Sequence, residues 1–134
     1  DEVVFGGCSA GGRGSIYNLD TVCGMVAAAQ AGTSKQAKCR GMHDAAYWVD
    51  IAEFPASTST PLSITIQEGM HFWNSFLLQG DCAKTVGEAA AWQCFFGEGV
   101  AKYTKTPFLI HIEQYDAFQS TTDVGHGPPF SNDE

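Results

Sequence analysis

The run Val3-Val4-Phe5-Gly6-Gly7 constrains the fold of this chain more than any other feature in it. An unbroken apolar stretch closed by glycine suits a short strand of a parallel sheet, fully buried because both sheet faces are covered. Residues 12–31 then read as a helix. Ile16, Leu19, Val22, Cys23, Val26 and Ala27 recur at helical spacing, and Gly32-Thr33-Ser34 supplies the stop. A second strand is expected over 37–42, and strand, helix, strand is the right-handed crossover unit of an α/β sheet. The chain has 134 residues, 44% hydrophobic and 12% aromatic, enough to bury a core as one domain or part of one.

Downstream, Pro55 and Pro61 with Ser57-Thr58-Ser59-Thr60 between them mark an irregular excursion over 43–62. A helix is expected over 63–78, with Ile66, Met70, Trp73 and Leu77 on one face, and an alanine-rich helix over 83–92. Phe108-Leu109-Ile110-His111-Ile112 reads as a third buried strand, and the tail from 124 to 134 as loop. The fold class is α/β, with three parallel strands, a crossover helix and a helical insertion. Asp1-Glu2 runs straight into a strand without an initiator Met, which reads as a fragment or processed chain. No apolar run reaches about 18 residues and no charged-then-apolar leader is present, so neither a membrane span nor a signal peptide is expected.

The net charge is −8 and the seven Lys and Arg residues are scattered. Nucleic acid is not an expected partner, because phosphate binding needs clustered basic residues. Five cysteines, at 8, 23, 39, 82 and 94, show no C-x-x-C spacing, and the four histidines show no H-x-x-x-H. Neither a metal nor an organic cofactor is expected. Disulfides in an extracellular or secretory-pathway protein fit better, leaving one cysteine over, and Cys8 is expected as a buried free thiol.

Gly7-Cys8-Ser9-Ala10-Gly11 sits where strand meets helix and matches G-x-S-x-G, the nucleophile elbow of α/β-hydrolases. Such a turn presses the residues two before and two after the serine together, and glycine leaves room there. Ser9 is then the nucleophile and the Ala10 N–H an oxyanion donor, beside the positive end of the helix dipole. The acid that orients the base is either Asp44, after the second strand, or Asp116, after the third. Chain order favours Asp116, and Asp44 also reads as a loop residue bonding nearby backbone. Of His43, His71, His111 and His126, only His126 follows Asp116, too closely for the intervening helix and strand. The other three read as packed histidines in strands or a helix.

Gly7-Cys8-Ser9-Ala10-Gly11-Gly12, His43-Asp44-Ala45-Ala46-Tyr47-Trp48, Trp92-Gln93-Cys94-Phe95-Phe96-Gly97 and Thr106-Pro107-Phe108-Leu109-Ile110 with Tyr115-Asp116 together resemble the pectin acetylesterase and Notum family. The tract Met70-His71-Phe72-Trp73-Asn74 with Cys82 resembles the Notum branch, and Tyr115-Asp116-x-x-Gln119 the pectin acetylesterases. The resemblance implies an extracellular serine carboxylesterase on an α/β-hydrolase fold. Its substrate would be an acylated polysaccharide or an acylated protein. Ser9 matches the nucleophile, Asp116 the triad acid, and Trp48, Phe95 and Phe96 the acyl-pocket wall, although such aromatics also read as plain core. The resemblance further implies a Cys82–Cys94 bridge. Cys23 and Cys39 are expected to tie the helix to the next strand, with partners elsewhere as the alternative.

The family's glycine-rich oxyanion loop and its histidine have no counterpart in these residues. Residues 1–134 are therefore expected to be the central part of a single hydrolase domain, inactive alone. The remainder of the domain or a larger assembly would cover its exposed sheet. The rival expectations are a non-catalytic scaffold that keeps the fold and an acyl carrier that uses the aromatic wall without chemistry.

Overall fold

The computed structural model describes residues 1–75 and 80–130. Strands β1 (Glu2–Cys8), β2 (Lys38–Asp44) and β3 (Phe108–His111) form a parallel sheet in that order. In register, Gly6 meets Met42 and Met42 meets Leu109; one row on, Cys8 meets Asp44 and Asp44 meets His111.

Helix α1 (Ser9–Ala29) covers one sheet face and buries Gly12, Ser15, Ile16, Leu19 and Cys23, a stripe at helical spacing. The stripe descends β2 step by step. A Cβ added to Gly12 would lie 2.8 Å from the Ala46 Cβ and 2.9 Å from the Asp44 carbonyl oxygen. Ser15 Oγ lies 2.7 Å from His43 Nδ1, a Cβ on Gly41 would stand 2.6 Å from Leu19 Cδ2, and Cys23 is bonded to Cys39. The Ser15 hydroxyl donates to the Gly12 carbonyl, so His43 donates its Nδ1–H to Ser15. Burial holds the His43 pKa below its ordinary value, and the ring is neutral.

The insertion contains α2 (Leu62–Trp73), α3 (Gly80–Val86), a 3-10 helix (Glu88–Phe95) and α4 (Gly97–Tyr103). The Cys82–Cys94 disulfide clamps α3 to the 3-10 helix. Trp48, Leu62 and Phe96 form a buried cluster against which Ile66 and Trp92 pack. Asp20 on α1 accepts from the Lys105 and Thr106 N–H groups at 2.9 and 2.7 Å, fixing the entry to β3. Helix α5 (Ala117–Thr122) follows β3.

Several expectations shift. The first strand alternates in burial instead of being covered on both faces, with Val4 60%, Met42 55% and Leu109 62% exposed. The uncovered face is the one opposite α1. Helix α1 begins at Ser9 rather than at 12, because the serine is already in the first turn. Trp73 is exposed, and α2 is anchored instead by Leu62 and Met70; Leu77 lies outside the described residues. The alanine-rich helix is broken at Gly87, whose φ of 85° ends α3. Both short helices α4 and α5 lack a periodicity strong enough to be read.

Asp123 closes α5 and is 3% exposed, and neither carboxylate oxygen has a hydrogen-bond partner among the described residues. Burial pushes its pKa up to about 6, with the Asp116 and Asp50 charges adding to the rise and Arg13 opposing it. A raised folded-state value means that nothing is lost below about pH 4, where both states are protonated. The penalty grows as pH rises through 6 and reaches on the order of 2–3 kcal/mol above it. Asp123→Asn should therefore raise the Tm of the protein at pH 7.5 and leave it nearly unchanged at pH 4; parallel pH profiles would contradict this. The α1–β2 seam gives a second test. Gly12→Ala should destabilise by roughly 1–3 kcal/mol through overpacking. Gly14→Ala, whose Cβ meets nothing within 4 Å, should stabilise by up to about 1 kcal/mol, so the two melting shifts should have opposite signs.

Candidate active site

Ser9 follows the last residue of β1 and has φ 54°, the left-handed region that a non-glycine residue enters only when its surroundings force it. The forcing comes from close packing. A Cβ on Gly7 would sit 2.6 Å from the Gly11 carbonyl carbon and oxygen, and Gly12 is pressed against Ala46 and Asp44. The requirement for glycine is lopsided: Gly11 itself has open space where a Cβ would go, so the crowding falls on Gly7 and Gly12. Ser9 is exposed at the carboxyl edge of the sheet. The α1 N-cap, Cys8, provides no side-chain acceptor, and the first turn holds no acidic residue. The Ala10 N–H thus stands at a helix start with no partner from its own helix.

Cys8 is a free thiol as expected, but it is exposed rather than buried. It shares the open face with Asp44 and His111, because alternate residues of neighbouring strands point the same way. Asp44 Oδ1 lies 2.6 Å from His111 Nδ1. That bond lowers the Asp44 pKa and raises that of His111, and the bond from Cys8 to Asp44 raises the thiol pKa. Asp44 is thereby engaged on both sides. Ala45, the next residue, has φ 47° and donates its N–H to the His111 carbonyl at 2.9 Å, so the carboxyl edge carries two left-handed residues, Ser9 and Ala45.

Asp116 is the N-cap of α5. Its Oδ1 accepts from the Phe118 and Gln119 N–H groups at 2.8 and 3.1 Å, and its Oδ2 from Gln119 Nε2 at 3.2 Å. Gln119 also accepts from the Val49 N–H at 2.9 Å and donates to the Tyr47 carbonyl at 3.3 Å. The Asp-x-x-Gln spacing therefore locks the carboxylate to the segment after β2. An open cleft of about 670 Å³ borders it, lined by Tyr47, Val49, Ile112, Tyr115 and Phe130 among others.

His43 is buried under α1, His111 is turned to Asp44, and His71 lies on exposed α2. The His126 ring packs against Phe54 and Phe130, with centroids 5.4 and 5.8 Å apart. Among the described residues no group of three or more His, Cys, Asp or Glu side chains could hold a metal ion. Trp48 and Phe96 are buried in the insertion core and Phe95 is half-buried. Two residues at this edge escape a reading of the sequence. Arg13 lies over Trp48, with Cζ 3.7 Å from the ring centroid, and its only sequence signal is a lone charge one turn after Ser9. Asp123 is buried beside it with no motif at all.

The fold is that of the Wnt deacylase Notum from Drosophila. Two crystal forms superpose with a TM-score of 0.81 at 24% identity, over 98% of this chain and 36% of the fly chain, and the three strands with their helices are part of an α/β-hydrolase. The palmitoleoyl-protein carboxylesterase notum2 of Xenopus laevis is 28% identical over 123 residues, 88% of this chain and 24% of the frog protein. The human palmitoleoyl-protein carboxylesterase NOTUM is 25% identical over 130 residues, 92% of this chain and 25% of its own length. The chain thus spans about a quarter of the length of these relatives. The family model for pectinacetylesterase matches residues 1–128, and with the elbow, the capped Asp116 and the hydrolase sheet in place, the chain belongs to the pectinacetylesterase family.

Proposed function

We propose that the protein carrying this sequence is a serine carboxylesterase and that residues 1–134 form the central part of its catalytic domain. The observation that carries the reading is Ser9 at φ 54° on the β1–α1 turn. The seam imposes that backbone whatever the residue. A scaffold or carrier that had lost its chemistry could relieve the strain with glycine, whereas here the position holds a serine. Ser9 Oγ attacks the ester carbonyl while a histidine takes its proton. The carbonyl oxygen, now negative, is received by the Ala10 N–H. Collapse expels the alcohol, which takes the proton back from the histidine, and leaves an acyl-Ser9. Water, deprotonated by the same histidine, then releases the acid and restores the Ser9 hydroxyl. Asp116, held by three hydrogen bonds, orients that histidine. The histidine and a second oxyanion donor come from the remainder of the domain, which also covers the open sheet face.

The substrate is an acylated polysaccharide or an acylated protein; relatives are named for acting on palmitoleoyl-proteins and the family for pectin acetate. Two disulfides support an extracellular or secretory-pathway location.

In the full-length protein, Ser9→Ala should lower ester turnover by at least about 10³-fold and abolish labelling by a fluorophosphonate probe. Unchanged turnover or labelling would refute the assignment. Asp116→Asn should cost roughly 10³–10⁴ in kcat. Asp44→Asn removes only an exposed pair and should leave kcat nearly intact; the reverse ranking would move the triad acid to Asp44.

A further inference from the structure

We infer that Arg13 sets the length of acyl group the site accepts, restricting it to acetyl-sized esters; this rests on the esterase reading above. Arg13 stands four residues after Ser9, just past the first turn of α1, and helical side chains lean back toward the N-terminus. Its guanidinium is fixed. It donates to the Phe95 carbonyl at 3.1 Å and to the Tyr17 hydroxyl at 3.1 and 2.9 Å. It lies over Trp48 at 3.7 Å and 5.7 Å from the Phe95 ring centroid.

Trp48 is at the carboxyl edge because Asp44 and Ala46, just before it, pack against Gly12 at the end of the first turn of α1. Phe118, two residues after Asp116, stacks on the same indole with centroids 4.4 Å apart. Trp48 is left 8% exposed. The surface between nucleophile and acid on the α1 side is therefore Arg13, Trp48 and Phe118 packed on one another. An acyl chain running from Ser9 along this surface meets a hydrogen-bonded cation where a fatty-acyl site would offer an apolar slot. Each methylene buried in such a slot contributes about 0.8 kcal/mol, roughly fourfold in kcat/KM, and a filled slot withholds that gain.

The test is a chain-length series of p-nitrophenyl esters, acetate to octanoate, with the full-length protein. The wild type should favour acetate, and Arg13→Ala should raise the octanoate-to-acetate ratio of kcat/KM by at least about tenfold. Arg13→Gln, shorter and uncharged but still able to pack part of its stem, should shift it in the same direction and serves if the alanine variant does not fold. Arg13→Lys, which keeps both an aliphatic stem over Trp48 and the charge, should stay nearest the wild-type preference. A loss of stability alone would lower both esters together and leave the ratio fixed. Wild-type turnover of octanoate equal to that of acetate, or an unmoved ratio in a folded, active Arg13→Ala or Arg13→Gln protein, overturns the role of Arg13. No turnover of any ester and no probe on Ser9 in the wild type overturns the esterase reading beneath it.

Discussion

The close seam between α1 and β2 is the constraint on which the rest of the structure depends. Helix and strand approach until Gly12 touches Ala46 and the Asp44 carbonyl, and Gly41 meets Leu19. At that distance there is no room for a relaxed strand-to-helix turn, and Ser9 takes a left-handed backbone. The strain amounts to a kcal/mol or more and is offset by the burial of Ile16, Leu19 and Cys23 along the same stripe. The neutral His43 belongs to this seam too, because its bond to Ser15 occupies a polar group that α1 would otherwise bury unpaired.

Around the elbow, charge is arranged by strand position. Cys8, Asp44 and His111 fall on one row of the open face, and their mutual bonds favour the ionised Asp44 carboxylate in the row that ends at the Ser9 turn. Asp116 lies one short helix beyond β3, and its oxygens are oriented by backbone N–H groups and by Gln119. The two acids thus differ in kind. One is engaged by its neighbours across the sheet, and the other is presented by a helix start with capacity left on Oδ2.

The elbow was legible because strand, glycine pair, serine and helix are contiguous, and each obeys a local rule. The three strands were legible for a related reason, their short apolar runs, whereas the Cys82–Cys94 pair rested on the family resemblance alone. Burial on the two sheet faces was not, since Val3-Val4-Phe5 reads the same whether one face or both are covered. The break at Gly87 was hidden by the alanines on its far side, which favour helix whatever the backbone does at the glycine. Arg13 and Asp123 were illegible for a deeper reason. Arg13 is placed by Trp48 and Phe95, and Asp123 is buried within reach of Arg13 and Asp50, all of them partners 35 or more positions away. No local pattern encodes which distant group a side chain will meet.

The seam also has a consequence for the order of assembly. Every contact that shapes the Ser9 turn, from β1 pairing with β2 to Gly12 against Ala46, lies within residues 2–46, and the Cys23–Cys39 bond spans a sequence separation of only 16. Contacts so near in sequence close small loops at low entropic cost. The β2–β3 seam, by contrast, joins Gly41 to Phe108, across the whole insertion. As the chain leaves the ribosome, the strained Ser9 turn can thus be complete before β3 and Asp116 have been made.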